Sequence, residues 1–361
     1  MKLSDVARLR LGSQHLTGGG LHKPSDVVRK LGAIQAQDYA GAKWAVAQRT
    51  RSATDAAVEQ ELIDGAIIRT HVLRPTWHFV APADIRWLLA LTAPRVNTIM
   101  SYYNRTLELD DAVFRRSGRA LERALRDGKH LMRAEISSVL ERARVNVAGE
   151  YRLGRLLMRA ELDGIICSGA RRGNQFTYAL LDERVPATAP LDRDEALLRL
   201  TTTYFATRGP ATPADFAWWS GLTVADAKRG IGMAGSALEQ VTVDGRAYWL
   251  APPVVTSASP SRVAFLLPNY DEYFIAYRDR SALGQRLRKD AVDLRVDAVF
   301  ANIVVVDGQL VGTWKRRFEG AAVVVELTPL ASFSKSERKA VDVAAEKYGS
   351  FLNLPMKLAT N

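Results

Sequence analysis

The sequence predicts an α+β chain of three tandem winged-helix units scaffolded by a strand-rich, β-barrel-like C-terminal region. Three observations predict it. One order of elements recurs three times before residue 251: a polar-capped helix, a short helix or turn, a second helix, then two apolar strands joined by an arginine-bearing turn. Pro-rich breaks at 185–190 and 251–261 punctuate the repeat. Beyond the second break the pattern is mostly strands, at 263–267, 303–306, 310–314 and 322–327, with Asp307-Gly308 as a hairpin turn and one amphipathic helix over 334–351. The expected division is 1–115, a first winged helix; 116–188, a second with a basic wing; 189–251, a third; and 252–361, a β-rich scaffold with a terminal helix.

In the first unit, Pro24-Ser25-Asp26 opens a helix carrying Val27, Val28, Leu31 and Ile34 at helical spacing, with Pro where its missing N–H costs nothing. Thr54 caps a helix with Ala57, Val58, Leu62 and Ile63, and residues 67–80 read as two strands turning near Leu73 and Pro75. The second unit places helices at 133–142 and 151–162 and strands at 165–168 and 175–180, around the basic loop Gly169-Ala170-Arg171-Arg172-Gly173-Asn174. In the third, Thr212 caps, Pro213 starts a helix, Gly221 turns, and a helix at 223–230 precedes strands between Leu238 and Leu250.

At 361 residues, 47% of them hydrophobic, the chain can build two or three packed units, so disorder is not its default. Fifty Lys+Arg against 39 Asp+Glu give a formal charge of +11, a surface that attracts polyanions, nucleic acid first among them. The excess is mostly arginine, whose fork matches phosphate and guanine edges. A single cysteine, Cys167, excludes an internal disulfide, a Cys-rich zinc site and a cysteine-ligated iron–sulfur cluster within one chain. The five histidines form no HxxxH or HExxH pattern, so no metal is expected. Gly18-Gly19-Gly20 lacks the lysine and strand–helix context of a phosphate loop, so no nucleotide cofactor is expected either. With no opening apolar segment and no long apolar run, a cytoplasmic protein without membrane contact is expected.

The stretch Leu31-Gly32-Ala33-Ile34-Gln35-Ala36-Gln37-Asp38-Tyr39 puts two glutamines around one small residue. On a straight helix, positions two apart point about 200° away from each other, so Gln35 and Gln37 could share a ligand only near a helix end or in an extended turn. The plain alternative is a pair of solvated or capping amides.

Other residues are candidates for contact. Arg171 and Arg172, at a Gly-flanked tip, can grip phosphate or enter a groove. Arg69, His71, Arg74 and Thr76 lie on the first wing, and some must face inward; Trp77 is core or the wall of a pocket. Lys43 and Trp44 follow the glutamine pair closely enough to line its cleft. Asp271 and Glu272 look like an acid pair, or else pair with arginines such as Arg278 or Arg280 to hold an interface. Trp218-Trp219 reads as core packing.

Five segments together resemble the winged-helix DNA glycosylases of the AlkZ type: Ile34-Gln35-Ala36-Gln37-Asp38; His71-Val72-Leu73-Arg74-Pro75-Thr76-Trp77-His78; Arg208-Gly209-Pro210-Ala211-Thr212; Leu267-Pro268-Asn269-Tyr270-Asp271-Glu272-Tyr273; and Val306-Asp307-Gly308-Gln309-Leu310-Val311-Gly312-Thr313-Trp314. The resemblance covers nearly all of the chain. Bacterial members of that family include self-resistance enzymes against DNA-alkylating natural products such as azinomycin, and its fold is three tandem winged helices scaffolded by a β-barrel. Its catalytic element is a Gln-aliphatic-Gln motif, which implies Gln35 and Gln37 as catalytic residues here. A related branch has Asp at the second position; Gln37 resembles the branch specialised for bulky N7-alkylguanine lesions.

Cleaving a glycosidic bond passes through an oxocarbenium-like sugar and needs a positioned water. N7-alkylation already places a positive charge on guanine, so neutral amides suffice to orient that water. Asp38 could support the oxocarbenium electrostatically, or serve as a turn carboxylate. The expected function is thus a monofunctional, cofactor-free, monomeric glycosylase acting on double-stranded DNA that carries alkylated guanine, bulky adducts and crosslinks included. The competing one is a non-catalytic winged-helix transcription regulator. Division of the recognition positions among three units of one chain favours the enzyme.

Overall fold

The computed structural model describes residues 1–252, 262–287 and 301–360; most of the break expected at 251–261 lies outside them. The chain divides into two compact units, one made of Met1–Glu59, Leu198–Trp219 and Thr223–Asn361, the other of Gln60–Leu197 with Ser220–Leu222.

The first unit begins with α1 (Leu3–Ser13), α2 (Pro24–Leu31), β1 (Ile34–Gln35) and α3 (Tyr39–Ala47), and α4 (Asp55–Ile63) carries the chain into the second. In α2, Pro24 starts the helix, the Asp26 carboxylate accepts the Lys23 N–H at 3.2 Å, and Val27, Val28 and Leu31 are buried. Ile34 does not continue that helix as its spacing predicts. Gly32, at φ 76°, stops it in a conformation that favours glycine, and Ile34 opens β1 instead. Thr54 caps α4 by accepting the Ala57 N–H at 3.2 Å. Two helices lack the period that would announce them. Every residue of α3 from Gly41 to Ala47 is buried, leaving no polar face. In α1 the apolar face is interrupted by Arg10, which is itself buried, donates to Pro210 O at 2.9 Å and lies over the Tyr277 ring at 3.6 Å.

The second unit contains β2 (Ile68–His71), β3 (Trp77–Val80), the 25-residue α5 (Pro82–Thr106), α6 (Asp111–Leu125), β4 (Leu131–Met132), α7 (Arg133–Arg142), α8 (Arg152–Leu162), β5 (Ile166–Ser168), β6 (Thr177–Leu180) and α9 (Leu181–Arg184). β2 and β3 pair antiparallel from Ile68↔Val80 to His71↔Trp77, and Leu73, at φ 65°, makes the expected turn. The run from α6 to β6 is a complete winged helix. Its three helices enclose Leu121, Leu125, Ile136, Leu140, Leu156 and Leu157, and a β4-β6-β5 sheet covers them.

α10 (Arg193–Arg208) leads back to the first unit, followed by α11 (Pro213–Ser220), α12 (Val224–Ala234), a 3₁₀ turn, and the hairpin β7 (Glu239–Val243) and β8 (Arg246–Leu250). Thr212 Oγ1 accepts the Asp215 N–H at 3.2 Å, as the cap chemistry predicts; Thr223, expected inside the next helix, caps it instead, its Oγ1 accepting the Asp226 N–H at 3.0 Å. Ala211 pairs with Trp249 through backbone bonds of 3.0 and 2.7 Å, adding a short third strand to this wing.

The rest comprises β9 (Ala264–Leu267), α13 (Glu272–Ile275), β10 (Asn302–Val306), β11 (Gln309–Glu319), β12 (Ala322–Pro329), α14 (Lys335–Leu352) and β13 (Met356–Thr360). Its sheet runs β13-β12-β11-β10-β9, antiparallel except for the parallel β12–β13 pair. Asp307 and Gly308 form the two-residue turn at φ 49° and 84°. β13 and β9 do not pair among the described residues, so the barrel-like region is an open sheet there. Its core, including Leu267, Tyr273, Ile303, Val305 and Leu310, also takes in Val6, Ala7 and Leu11 of α1. α13 is tied to the segment that carries the two glutamines through the Glu272 carboxylate, which accepts the Gln35 N–H at 2.9 Å.

Candidate functional site

The glutamine pair lies between two helices. A Cβ at Gly32 would meet Thr203 Cγ2 at 3.0 Å, so both the backbone angle and the close approach favour glycine where the chain leaves α2. Ala33, Ile34 and Ala36 are fully buried, Gln35 is 6% exposed, and Gln37 is exposed. An extended strand would turn Gln35 and Gln37 to one side. Here β1 ends at Gln35, and the two differ in exposure. Asp38 then caps α3, its carboxylate accepting the Gly41 N–H at 3.1 Å. Gln35 therefore ends β1, and Gln37 directly precedes the residue that caps α3. The Gln37 amide makes no hydrogen bond to another described residue. Burial, with the Asp38 carboxylate second, pushes the nearby Tyr270 phenol above its ordinary value and keeps it a neutral donor.

Two buried ion pairs underlie this segment, and their partners differ from the expected Arg278 and Arg280. Asp271 accepts from Arg49 at 2.8 and 2.9 Å, and Glu272 from Arg208 at 2.9 and 2.6 Å, with all four side chains fully buried. Arg280 instead packs over Phe274 and donates to its carbonyl, while the Arg278 N–H goes to Asp215. Glu272 also accepts the Trp219 indole N–H at 2.9 Å and the backbone N–H of Gln35 at 2.9 Å. Trp219 is core, as expected, while Trp218 is 43% exposed with its indole N–H on Ile275 O.

Lys43 and Trp44 lie on α3, turned inward. The Lys43 ammonium is 2.8 Å from Asp55 and 2.8 Å from Glu59, and Tyr39 donates its hydroxyl to Glu59 at 2.9 Å. The Trp44 indole donates to Leu266 O at 2.7 Å and packs against Tyr348 and Phe351. Neither side chain is left at the surface, because the period-free α3 buries both.

The second unit holds the remaining candidates. The Arg69 guanidinium is 7% exposed between two rings, 4.3 Å from the Trp77 centroid and 4.7 Å from that of Phe176. His71 joins the Glu161 carboxylate through Nδ1 and packs 4.3 Å from Trp77. Trp77 is half-buried between the Arg69 guanidinium and the His71 ring. Arg74 and Thr76, on the turn, are half-buried, and the Thr76 hydroxyl has no partner among the described residues. Arg171 and Arg172 stand on the wing between β5 and β6. Arg171 lies 5.2 Å over the Phe176 ring; Arg172 is 47% exposed, pairs with Glu135 and donates to His130 O at 3.1 Å.

Among the described residues no three His, Cys, Asp or Glu side chains are grouped to hold a metal ion, and no helix is long and apolar enough to cross a membrane. Cys167 is buried, and burial pushes its thiol up to about 12, so it stays protonated. Polar groups that the sequence did not single out include Arg49, Arg208, Glu161, Asp55 and Glu59. Arg208 and Glu272 both stand in recognisable motifs, but a pairing across 64 residues leaves no local period to read.

A curated relative from Streptomyces sahachiroi, named an interstrand DNA cross-link repair glycosylase, is 27% identical over 310 residues, 81% of each chain. The solved structure of the Streptomyces sahachiroi DNA glycosylase AlkZ superposes with a TM-score of 0.81 at 26% identity, covering 99% of this chain and 100% of that one. A family model described as DNA glycosylase AlkZ-like matches residues 28–351, and the chain belongs to the AlkZ-like DNA glycosylase family.

Proposed function

We propose that this chain excises N7-alkylguanine from duplex DNA by hydrolysis, with Gln35 and Gln37 positioning the attacking water. The observation that carries the reading is the pair itself: a buried Gln35 and an exposed Gln37, one residue apart, at the mouth of α3. The water oxygen bonds to C1′ as the C1′–N9 bond breaks. The bonding electrons pass to the base and cancel its positive charge, and the water's proton leaves to solvent. The products are the free alkylated base and an abasic site.

An amide serves this step by placement, since its carbonyl oxygen accepts from the water while its N–H₂ donates to a sugar or phosphate oxygen. Asp38, already fixed as a helix cap, supports the developing oxocarbenium electrostatically. The proposal extends to bulky natural-product adducts and to crosslinks joined through N7, and the name of the Streptomyces relative, an interstrand DNA cross-link repair glycosylase, supports including crosslinks. For DNA contact we assign Arg171 and Arg172 on one wing and Arg74 and Thr76 on the other. Arg69 and His71 support the latter from beneath, and Lys43 and Trp44 stiffen α3. The enzyme acts as a cytoplasmic monomer.

The test incubates purified protein with duplex DNA carrying one N7-methylguanine or a bulkier adduct and then adds alkali. Strand breaks at the lesion are expected; their absence on both substrates refutes the reading, and sequence-specific footprints on undamaged DNA would favour a regulator. Gln37→Ala should keep its DNA affinity while single-turnover excision falls on the order of 10²-fold, the scale of a lost placement effect. A wild-type rate in that variant would move the site elsewhere.

A further inference from the structure

We propose that Glu272 and Arg208 are positioning residues that set the glutamine segment for water placement. The inference rests on reading Gln35 and Gln37 as the water-positioning pair. Between the end of α2 and the start of α3 only two residues of strand define the path of the chain. Arg208 grips that path. Its Nη1 donates to Leu31 O at 2.8 Å and to Thr207 Oγ1 at 2.9 Å; its Nη2 donates to Ala33 O at 2.8 Å and to Glu272 Oε2 at 2.6 Å; its Nε donates to Glu272 Oε2 at 2.9 Å. All five guanidinium donors are thus used, and two of them hold backbone carbonyls of the motif. Glu272 completes the clamp. Its Oε2 is occupied by Arg208 and Trp219, which aims Oε1 at the Gln35 N–H, 2.9 Å away. Successive odd positions, 31, 33 and 35, are therefore tied to one rigid ion pair that is fully buried.

A stability role alone does not account for the pair. Apolar side chains of the same volume fill a core as well or better, because desolvating two charges offsets most of their attraction. What apolar packing cannot do is fix three backbone polar atoms in direction and distance. The neighbouring Arg49–Asp271 pair makes the contrast: its remaining side-chain bonds go to Gln14, to Ala45 O and to the Tyr273 N–H, none of them in the glutamine segment. Arg208 is the last residue of α10, and the chain leaves the helix through Gly209, where a Cβ would collide with Phe205 O and approach Leu250 Cα to 2.8 Å.

The experiment measures single-turnover excision of N7-methylguanine from duplex DNA, with DNA Kd alongside, for Glu272→Asp and Arg208→Lys. Both variants keep the buried charges; one retracts the carboxylate and the other removes the fork. Excision should fall about tenfold or more while Kd stays within about threefold, since misplacement by about 1 Å can cost 10²-fold. Added to Gln37→Ala, either change should bring no further loss, because both act on one placement. Wild-type excision by folded Glu272→Asp protein would overturn the inference, and so would losses that multiply with that of Gln37→Ala, the mark of general damage. If Gln37→Ala alone excises normally, the reading of the motif falls first, and the inference with it. Should neither variant fold, hydrogen exchange at the Gln35 amide of the wild-type protein decides: protection at core level supports the clamp, and exchange at the rate of an exposed loop overturns it.

Discussion

Removing Arg171 and Arg172 together tests the wing as a DNA-contacting element, and the expected effect can be worked out before the measurement. Each phosphate contact adds about 0.9 to the slope of log affinity against log salt. Between about 50 and 200 mM salt, roughly 0.6 log units, one contact is worth about 3.5-fold and two about twelvefold. The two arginines do not start from equal positions. Arg171 is half-buried, with its guanidinium 5.2 Å over the Phe176 ring. Arg172 is paired with Glu135, a carboxyl held below its usual range by the Met132 N–H and then by Arg172 itself. To reach a phosphate Arg172 must release that carboxylate, and in an Arg172→Ala protein the carboxylate faces DNA uncompensated. Fluorescence anisotropy of labelled duplex, titrated over that salt range, should show the double variant losing between one and two contacts' worth of slope. Glu135→Gln, with both arginines kept, should bind more tightly than wild type. A double-variant slope within about 0.3 of wild type would take the wing out of the interface, because even one lost phosphate contact exceeds that.

Two further outcomes follow from groups away from the wing tip. Asp271→Asn strands the Arg49 charge in a fully buried site, so urea or thermal unfolding of the unit that contains it should report a loss of about 3 kcal/mol, the low end for breaking a buried pair. A loss below about 1 kcal/mol would mean that water or a rearranged partner reaches Arg49. His130 is held below its ordinary 6.5, first by burial and then by Arg184 and Arg172, while its Nδ1 accepts the Ala170 N–H at 3.0 Å. Because the folded pKa is the lower one, the unfolded wing takes up the proton first. The stabilisation is complete above 6.5 and is lost as pH falls through the window below it. Ala170 should therefore exchange its amide hydrogen faster, after correction for intrinsic rate, at about pH 5.5 than at about 7.5; equal protection would refute the assignment.

What the sequence made legible was local chemistry. Thr54 and Thr212 cap helices, Asp307-Gly308 turns a hairpin, and Gly-flanked arginines mark a wing, because each signal acts within a few residues of itself. What stayed hidden was helix burial on all sides and long-range charge pairing. Helix α3 has no polar face, so its period is silent, and Lys43 and Trp44 read as cleft residues when α3 turns both inward. Asp271 and Glu272 announce that arginines are needed, yet nothing in the chain says that Arg49 and Arg208 supply them rather than the nearer Arg278 and Arg280. Ile34 obeys helical spacing and still leaves the helix, because the glycine two residues earlier decides first.

That local decision also shapes the chemistry under the proposed reading. Around the motif the strong charges are already matched: Arg208 with Glu272, Arg49 with Asp271, Lys43 with Asp55 and Glu59. Asp38 is engaged as a cap. What the segment offers outward at position 37 is a neutral amide, which can orient water but cannot protonate a leaving group. A neutral purine would need that proton; a guanine already cationic at N7 does not. Selectivity then resides partly in the lesion itself, because the enzyme supplies only what an alkylated base still lacks, a water held in line. Installing an acid near Gln37 should accordingly do little for N7-alkylguanine, while rigid support of the amide matters a great deal. This is why a fully bonded, buried ion pair beneath two uncharged side chains makes chemical sense.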